Sequence, residues 1–207
     1  MIMYENIVKS RMSQRRFNHS VNVCHMAGQL AEKYGANKDK AMIAGILHDI
    51  TKESSPEYHM NIIRKFKIPI TKHDTISKGM LHSITGSTYA AKVLRIRDRD
   101  IINAIRYHTT GRDGMSLLEK VVFVADFISD ERDYRGVEKI RKCAWEDLDL
   151  GVLAGLLFSI NNLIEIRVPI HPNTILAYND IVLKRREKFN NERKQSFGRQ
   201  NLQYTGR

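Results

Sequence analysis

Apolar residues recur at intervals of three and four along most of this 207-residue chain. The first long segment shows the pattern at Phe17, Val21 and Cys24, and continues it at Leu30 and Tyr34. Such spacing places apolar side chains on one face of an α-helix, and no stretch alternates with period two for long enough to predict a strand. The sequence therefore predicts an all-α protein that folds as a single compact helical bundle.

Capping residues divide this pattern into separate helices. Helix starts are predicted at Asn37, Ser55, Asp98 or Asp100, Ser116 and Asp149. Ser116 and Glu119 have the spacing of a capping box. Pro169 and Pro172 separate the long apolar helix after Asp149 from a last helix.

Positive charge is concentrated at the C-terminal end. The chain carries a net charge of +11, and residues 184–207 hold eight of the 34 Lys and Arg but only two acids. We therefore predict one domain over residues 1–185 and a basic, flexible tail over residues 186–207. A solvated helix end explains the tail, and the alternative is weak contact with RNA or another acidic surface.

Composition limits the class and location of the protein. Hydrophobic residues make up 42% of the chain, which excludes a disordered or fibrous protein. No near-continuous apolar run approaches the roughly 20 residues that cross a bilayer, and residues 1–16 lack the apolar segment of a secretory signal. Cys24 and Cys143 stand far apart and form no disulfide framework. We expect a cytoplasmic protein with no membrane partner.

Three places in the sequence combine polar chemistry with apolar surroundings. His48 and Asp49 are adjacent at the end of an apolar helix, and a buried carboxylate costs several kcal/mol unless it is paired or binds a cation. Neighbours on a helix point about 100° apart, so both can reach one ion only where the helix ends. Asp126 is a single acid in another apolar run and is a further candidate for binding a cation. The alternative is that it is an exposed acid or forms a buried pair with arginine. His19 lies on the apolar side of its helix.

In this order and spacing, His19, His48, Asp49 and Asp126 resemble the metal ligands of the HD superfamily of metal-dependent phosphohydrolases. The similarity covers about residues 12–183. It is greatest to the YqeK-type branch, regarded as symmetrical diadenosine tetraphosphate hydrolases, at Ile105–Arg112, Met115–Lys120 and His171–Thr174. Two segments depart from the family pattern: Ser83 follows His82 where Gly is usual, and Ser129-Asp130-Glu131 precedes Arg132 where Glu-Pro is typical.

The resemblance implies a compact HD domain with two metal ions. The implied ligands of the first ion are His19, His48, Asp49 and Asp126. His82 and His108 would bind the second, with Asp49 as a bridge. A mixed nitrogen and oxygen set suits iron, which we name first, or manganese, cobalt or nickel. A hydroxide on the metals would attack an inner phosphorus and release ADP, so the expected partner is a dinucleoside polyphosphate.

Basic and polar residues near these positions are candidates for substrate contacts. The predicted substrate-binding residues are Lys52, Arg106, Thr109, Arg132 and His171. Lys52 and Arg106 are also predicted to be catalytic, together with Asp49, because phosphate charge must be neutralised during the reaction. Arg112 is a further candidate. The remaining histidines are interpreted as structural or solvated, namely His25, His59 and His73.

Two other functions are compatible with the sequence. One is an HD phosphohydrolase of a dNTP, a nucleoside monophosphate or a cyclic nucleotide, because the metal residues do not distinguish these substrates. The other is a nucleotide- or RNA-binding regulator, for which the basic tail is the only favourable feature. The late apolar helices also allow a homodimer.

Overall fold

The computed structural model describes residues 2–76 and 79–187, and within these ranges it contains helices and no strands. In chain order the helices are α1 (Ile2–Lys9), α2 (Gln14–Tyr34), α3 (Lys38–Leu47), α4 (Pro56–Lys65), α5 (Lys72–Ile76), α6 (Leu81–Lys92), α7 (Arg99–Tyr107), α8 (Leu117–Ile128), α9 (Val137–Glu146), α10 (Leu148–Glu165) and α11 (172–187). The all-α prediction is confirmed. Helix α11 continues two residues past the predicted domain end, and the rest of the predicted tail, 188–207, lies outside the described residues.

Most predicted helix starts are observed. The side chains that accept a backbone N–H at the expected starts are those of Asn37, Ser55, Asp98 and Ser116. The start of α10 differs from the prediction, because Asp147 accepts the N–H of Leu150 while Asp149 forms an ion pair with Lys120 at 2.6 Å. Two acids two residues apart compete for the cap, and the one with the extended backbone takes it.

Helix α8 lies at the centre of the bundle. It packs against α2, α3, α7, α9 and α10, and its residues from Val121 to Ala125 are all buried. A helix that is apolar on every side is stable only when neighbours surround it. A polar residue that follows this run, such as Asp126, is therefore held in a fixed position against α2 and α3.

Helices α2 and α3 approach each other closely at Gly45. A Cβ at this residue would lie 2.9 Å from the Cα of Cys24 and 3.1 Å from the carbonyl oxygen of Val23. Only glycine fits such a contact without movement of the backbone. The contact brings the end of α3, where His48 is the C-cap residue, next to the helix that carries His19.

Helix α10 is apolar but poorly covered. By length and composition it is the one helix among the described residues that could cross a membrane, and 28% of it is buried. Its outer side forms a groove of about 350 Å³ with α9, lined by Ile140, Cys143, Leu153, Leu157 and Phe158 among others. The face is therefore an exposed apolar surface on an otherwise well-packed bundle.

Candidate metal centre

All six predicted metal ligands lie together in one cluster. They come from α2, the end of α3, α6, the end of α7 and α8. Five are buried, and Asp126 is partly exposed. The members of the cluster are His19, His48, Asp49, His82, His108 and Asp126.

The carboxylate of Asp49 is shared by two groups of imidazoles. Its Oδ1 lies 3.0 Å from Nε2 of His82 and 3.6 Å from Nε2 of His108. Its Oδ2 lies 3.4 Å from Nε2 of His48 and 3.8 Å from Nε2 of His19. Each oxygen thus faces a different pair of nitrogens, which is the arrangement that a bridging carboxylate requires.

Asp126 joins only one of these groups. Its Oδ1 lies 3.1 Å from Nε2 of His19 and 3.8 Å from Nε2 of His48. We call His19, His48 and Asp126 the first ligand group, and His82 and His108 the second ligand group. Asp49 belongs to both.

Two helix ends orient the histidines that follow them. Nδ1 of His48 lies 2.7 Å from the carbonyl oxygen of Gly45, and Nδ1 of His108 lies 2.8 Å from that of Ile105. The last carbonyls of a helix have no partner within the helix, so a side chain three residues later can satisfy one of them. A carbonyl only accepts, so both rings donate from Nδ1, and in the neutral ring the lone pair is then on Nε2.

The ring nitrogens and carboxylate oxygens lie close together at the centre of the cluster, where Nε2 of His82 is 3.0 Å from Nε2 of His108. Nε2 of His48 and Oδ1 of Asp49 are buried without a hydrogen-bond partner, although Nε2 of His82 lies 3.0 Å from that oxygen. Unsatisfied buried acceptors are costly, and a cation placed among them removes the cost. In each of two subsets, His19 with His48 and Asp126, and His48 with Asp49 and His108, the donor atoms lie within 4.8 Å of one another. The residues therefore fit a metal centre.

A carboxylate that the sequence analysis did not assign supports His19. Nδ1 of His19 contacts the carboxylate of Glu131, which also accepts a hydrogen bond of 2.9 Å from Oγ of Ser129. Burial raises the pKa of Glu131, but the hydrogen bond with His19 outweighs it and the pKa falls to about 2. Glu131 lies in the segment that departs from the family pattern. The presence of an acid in that segment was the signal that could have identified it as a partner of His19.

Arg16 is a second residue that the sequence analysis missed. Its Nη1 donates to Oδ2 of Asp49 at 2.8 Å. It lies one helical turn before His19 on α2, and that spacing was the only signal. The helix start is fixed by Ser13, whose N–H and hydroxyl both donate to the carboxylate of Glu53 at 2.6 and 2.8 Å.

The cluster favours ionised carboxylates. Burial raises the pKa of Asp49 and Asp126, but the facing histidines outweigh it and hold both values well below the usual range. Burial lowers the pKa of His48, and it lowers that of His82 to about 4. At neutral pH the two aspartates and these two rings are thus in the forms that bind metals.

His19 behaves differently from the other rings. Burial lowers its pKa, but the hydrogen bonds with Asp126 and Glu131 outweigh burial, and the net effect is a raised pKa. At a pH below this raised pKa, a metal ion that binds at Nε2 would displace a proton from the ring.

Two predicted substrate-binding residues lie at the edge of the cluster. Nζ of Lys52 is 3.3 Å from Nε2 of His82 and 3.9 Å from Oδ1 of Asp49. Arg132 donates from Nη2 to Oδ1 of Asp126 at 2.5 Å and from Nε to its carbonyl oxygen at 2.8 Å. Both side chains remain about one third exposed.

Two of the other predicted substrate contacts line a separate small cavity of about 70 Å³. Thr109 and His171 line it together with His73, which the sequence analysis interpreted as structural or solvated. Nε2 of His171 is 3.4 Å from Oδ1 of Asp74. Burial lowers the pKa of Arg106 and outweighs the nearby Asp74, which raises it. Arg106 thus interacts with Asp74 and His171 near this cavity, and Thr109, the residue after His108, connects the cavity to the second ligand group.

Arg112, the further candidate, pairs with a buried carboxylate within the fold. Its Nε and Nη2 both donate to the carboxylate of Glu119 at 2.8 Å, and Glu119 is 1% exposed. The predicted capping box is therefore half formed, because Ser116 accepts the N–H of Glu119 but the carboxylate turns to the arginine. Among the other histidines, His59 is buried with Nδ1 2.8 Å from Oγ1 of Thr85, as its structural interpretation requires.

Known proteins resemble this chain over most of its length. A family model described as the HD domain matches residues 16–129. The symmetrical bis(5'-nucleosyl)-tetraphosphatase of Halalkalibacterium halodurans is 36% identical over 87% of this chain and 96% of its own length. Its namesake in Bacillus subtilis is 38% identical over 84% of this chain and 94% of its own length.

A solved structure gives the same result for the fold. It is described as a predicted HD superfamily hydrolase involved in NAD metabolism from Clostridium acetobutylicum. It superposes with a TM-score of 0.85 at 35% identity, covering 88% of this chain and 96% of that one. The chain therefore belongs to the HD domain family and, within it, to the group of the symmetrical bis(5'-nucleosyl)-tetraphosphatases.

Proposed function

We propose that this chain is a metal-dependent hydrolase that cleaves diadenosine tetraphosphate symmetrically into two ADP. One observation carries the proposal: two groups of metal-type side chains converge on the two oxygens of one buried carboxylate, Asp49. The relatives that cover most of this chain carry the name of that activity.

The proposed cofactor is a pair of transition-metal ions. Iron is the first choice, and manganese, cobalt or nickel are the alternatives. The first ligand group would hold one ion, the second ligand group the other, and Asp49 would contact both. When bound there, such ions would supply the polarisation of phosphate oxygens and a lowered pKa of a water molecule. The orientation of His48 and His108 by helix carbonyls keeps their Nε2 atoms ready for this task.

Charge around the cluster favours a polyphosphate. Three acids and three basic side chains balance each other in and around it, namely Asp49, Asp126 and Glu131 against Arg16, Lys52 and Arg132. Metal ions add positive charge to this neutral arrangement. An anionic phosphate chain supplies the compensating charge, whereas a neutral substrate does not.

The protein's own side chains would bind and orient the substrate. Lys52 and Arg132 lie beside the two aspartates, where they would each bind phosphate oxygens. Arg106 would neutralise a phosphate closer to the small cavity. Thr109 and His171 line that cavity, which we assign to the ribose or base of one nucleoside half. Asp49, Lys52 and Arg106 are the proposed catalytic residues.

The location and assembly follow from other parts of the molecule. Both cysteines are free, which supports a cytoplasmic location. The exposed apolar face of α9 and α10 supports a homodimer, because a surface of this kind is stabilised by a second copy. Light scattering on the intact chain tests the assembly: we expect the mass of a dimer, and Leu157→Glu should reduce it to that of a monomer.

A product assay tests the activity. The purified protein is incubated with diadenosine tetraphosphate and iron, manganese, cobalt or a chelator, and the nucleotides are separated. ADP as the only product, lost with the chelator, is the expected result. AMP with ATP would exclude symmetrical cleavage. Turnover of only a dNTP, nucleoside monophosphate or cyclic nucleotide in a parallel panel would replace the substrate but keep the metal centre.

A further inference from the structure

Arg16 occupies the boundary between the buried cluster and solvent. Its side chain is 30% exposed, while that of Asp49, which it contacts, is 3% exposed. It projects from the first turn of α2, whose start is fixed by the hydrogen bonds between Ser13 and Glu53. The guanidinium is thus attached to a rigid element and reaches the entrance of the site.

Most hydrogen-bonding capacity of Arg16 is unused among the described residues. Its guanidinium makes one hydrogen bond there, from Nη1 to Asp49. In contrast, Arg132 uses Nε and Nη2 on Asp126, and Arg112 uses the same two atoms on the carboxylate of Glu119. Because a guanidinium binds carboxylate or phosphate best through two parallel bonds, Arg16 retains free donors for a second anion.

The single partner of Arg16 is also a metal-type ligand atom. Oδ2 of Asp49 lies 3.4 Å from Nε2 of His48 and 3.8 Å from Nε2 of His19. Positive charge placed among these three atoms attracts Oδ2 and repels the guanidinium 2.8 Å away. The loss of this bond would leave a partly exposed cation that needs a new anion.

We propose that Arg16 is a phosphate-binding residue that exchanges Asp49 for a phosphate oxygen of the nucleotide once the first ligand group is loaded. This inference rests on the proposed function. It adds a cationic contact on the Oδ2 side of Asp49, whereas Lys52 lies on the Oδ1 side. The phosphate chain would then be held from both sides of the shared carboxylate.

A different role for Arg16 makes opposite predictions. If Arg16 only positioned Asp49, its loss would weaken metal binding and leave the nucleotide affinity of the fully loaded protein unchanged. If it binds phosphate, its loss weakens nucleotide binding and leaves metal binding as tight as before or tighter.

The experiment compares Arg16→Met and Arg16→Lys with Arg15→Met in the full chain. Arg15 is the exposed neighbour of Arg16 on the same helix. Arg15→Met is the matched control because it removes the same charge. Calorimetry measures Mn²⁺ binding first, and then ADP binding at saturating Mn²⁺. We expect Arg16→Met to weaken ADP binding about tenfold to a hundredfold, with partial recovery in Arg16→Lys and no change in Arg15→Met.

Two results would overturn the proposal: unchanged ADP binding in Arg16→Met, or Mn²⁺ binding weakened tenfold or more. Failure of the proposed function gives a different pattern. In that case the wild-type protein loaded with Mn²⁺ neither binds ADP nor cleaves diadenosine tetraphosphate, and the role of Arg16 falls with it.

Discussion

The two ligand groups share Asp49 but differ in what surrounds them. The first group has a carboxylate of its own, Asp126, and two further residues hold it in place: Glu131 contacts His19, and Arg132 binds Asp126. The second group consists of two imidazoles, and Asp49 is the one carboxylate that the described part of the chain places beside them.

Outer contacts widen this difference. In the second group His108 donates to a helix carbonyl, but a cation lies beside the ring of His82, with Nζ of Lys52 3.3 Å from Nε2 and 3.4 Å from Nδ1. A carboxylate behind a histidine strengthens its metal bond, whereas a positive charge beside it opposes the ion. Equal numbers of imidazoles therefore do not make equal sites, and we expect the first group to hold its ion more tightly.

The largest expected effect removes the feature that the groups share. Asp49→Ala deprives both of a carboxylate, so turnover should fall by about a thousandfold or more and neither ion should be retained. Metal analysis after dialysis and the product assay measure the two losses. Circular dichroism is the control, and we expect unchanged helix content. Near wild-type activity in this variant would contradict the site assignment.

Single histidine variants separate the groups. His82→Ala should leave about one ion per chain, held by the first group, with turnover reduced about a hundredfold. His48→Ala removes a ligand of the first group that faces both Asp49 and Asp126. The ion that this variant retains is then held by the second group, so its affinity should be lower than that of the ion in His82→Ala. Titration with Mn²⁺ gives the stoichiometry and affinity. If His48→Ala bound its ion more tightly than His82→Ala, the ranking of the groups would be wrong.

The support of His19 gives a smaller effect confined to one group. Glu131→Gln should weaken Mn²⁺ binding in the first group about tenfold to a hundredfold, because the amide no longer supplies a negative charge behind the ring. Asp130→Asn is the matched control on the exposed neighbour. The two variants are compared in the His82→Ala background, where only the first group remains. Equal affinities in both would show that Glu131 does not act through His19.

The pH dependence should also distinguish the groups, with the smallest effect. The raised pKa of His19 means that a proton competes with the ion, so binding in the first group should tighten as pH rises towards that pKa. The pKa of His82 is lowered to about 4, so its ring is already neutral, and it adds no pH dependence to the second group above about pH 5. Mn²⁺ titrations of His82→Ala and His48→Ala across pH check this. A flat profile in His82→Ala would contradict it.

Local sequence patterns predicted the parts of the molecule that depend on neighbours in the chain. Periodic apolar residues gave the helices, and caps such as Ser55 and Ser116 were recognisable because a cap acts on the next few residues. The grouping of His48 with Asp49 at a helix end was also local. The grouping with His82 and His108 depended on the family resemblance, because no spacing rule brings α6 and α7 to the end of α3.

Contacts between distant segments could not be predicted in this way. Glu131 reaches His19 across 112 positions, and its segment is the one that departs from the family pattern. Arg16 carried no signal of its own in the sequence, and the fold is what places Asp49 beside it. The ion pair of Arg112 was missed for the same reason, since its partner Glu119 had already been assigned to a cap. Charged side chains choose their partners in three dimensions, so their roles follow from the fold.

The contact at Gly45 has a consequence for the chemistry of the site. Because no methyl group separates α3 from the backbone of Cys24, the span between His48 and His19 is set by helix contact alone. Metal ions differ in their preferred bond lengths by only tenths of an ångström. A methyl group at position 45 would therefore push α3 away from α2 and lengthen the span between His48 and His19. This change in distance would alter which metal ions the cluster prefers.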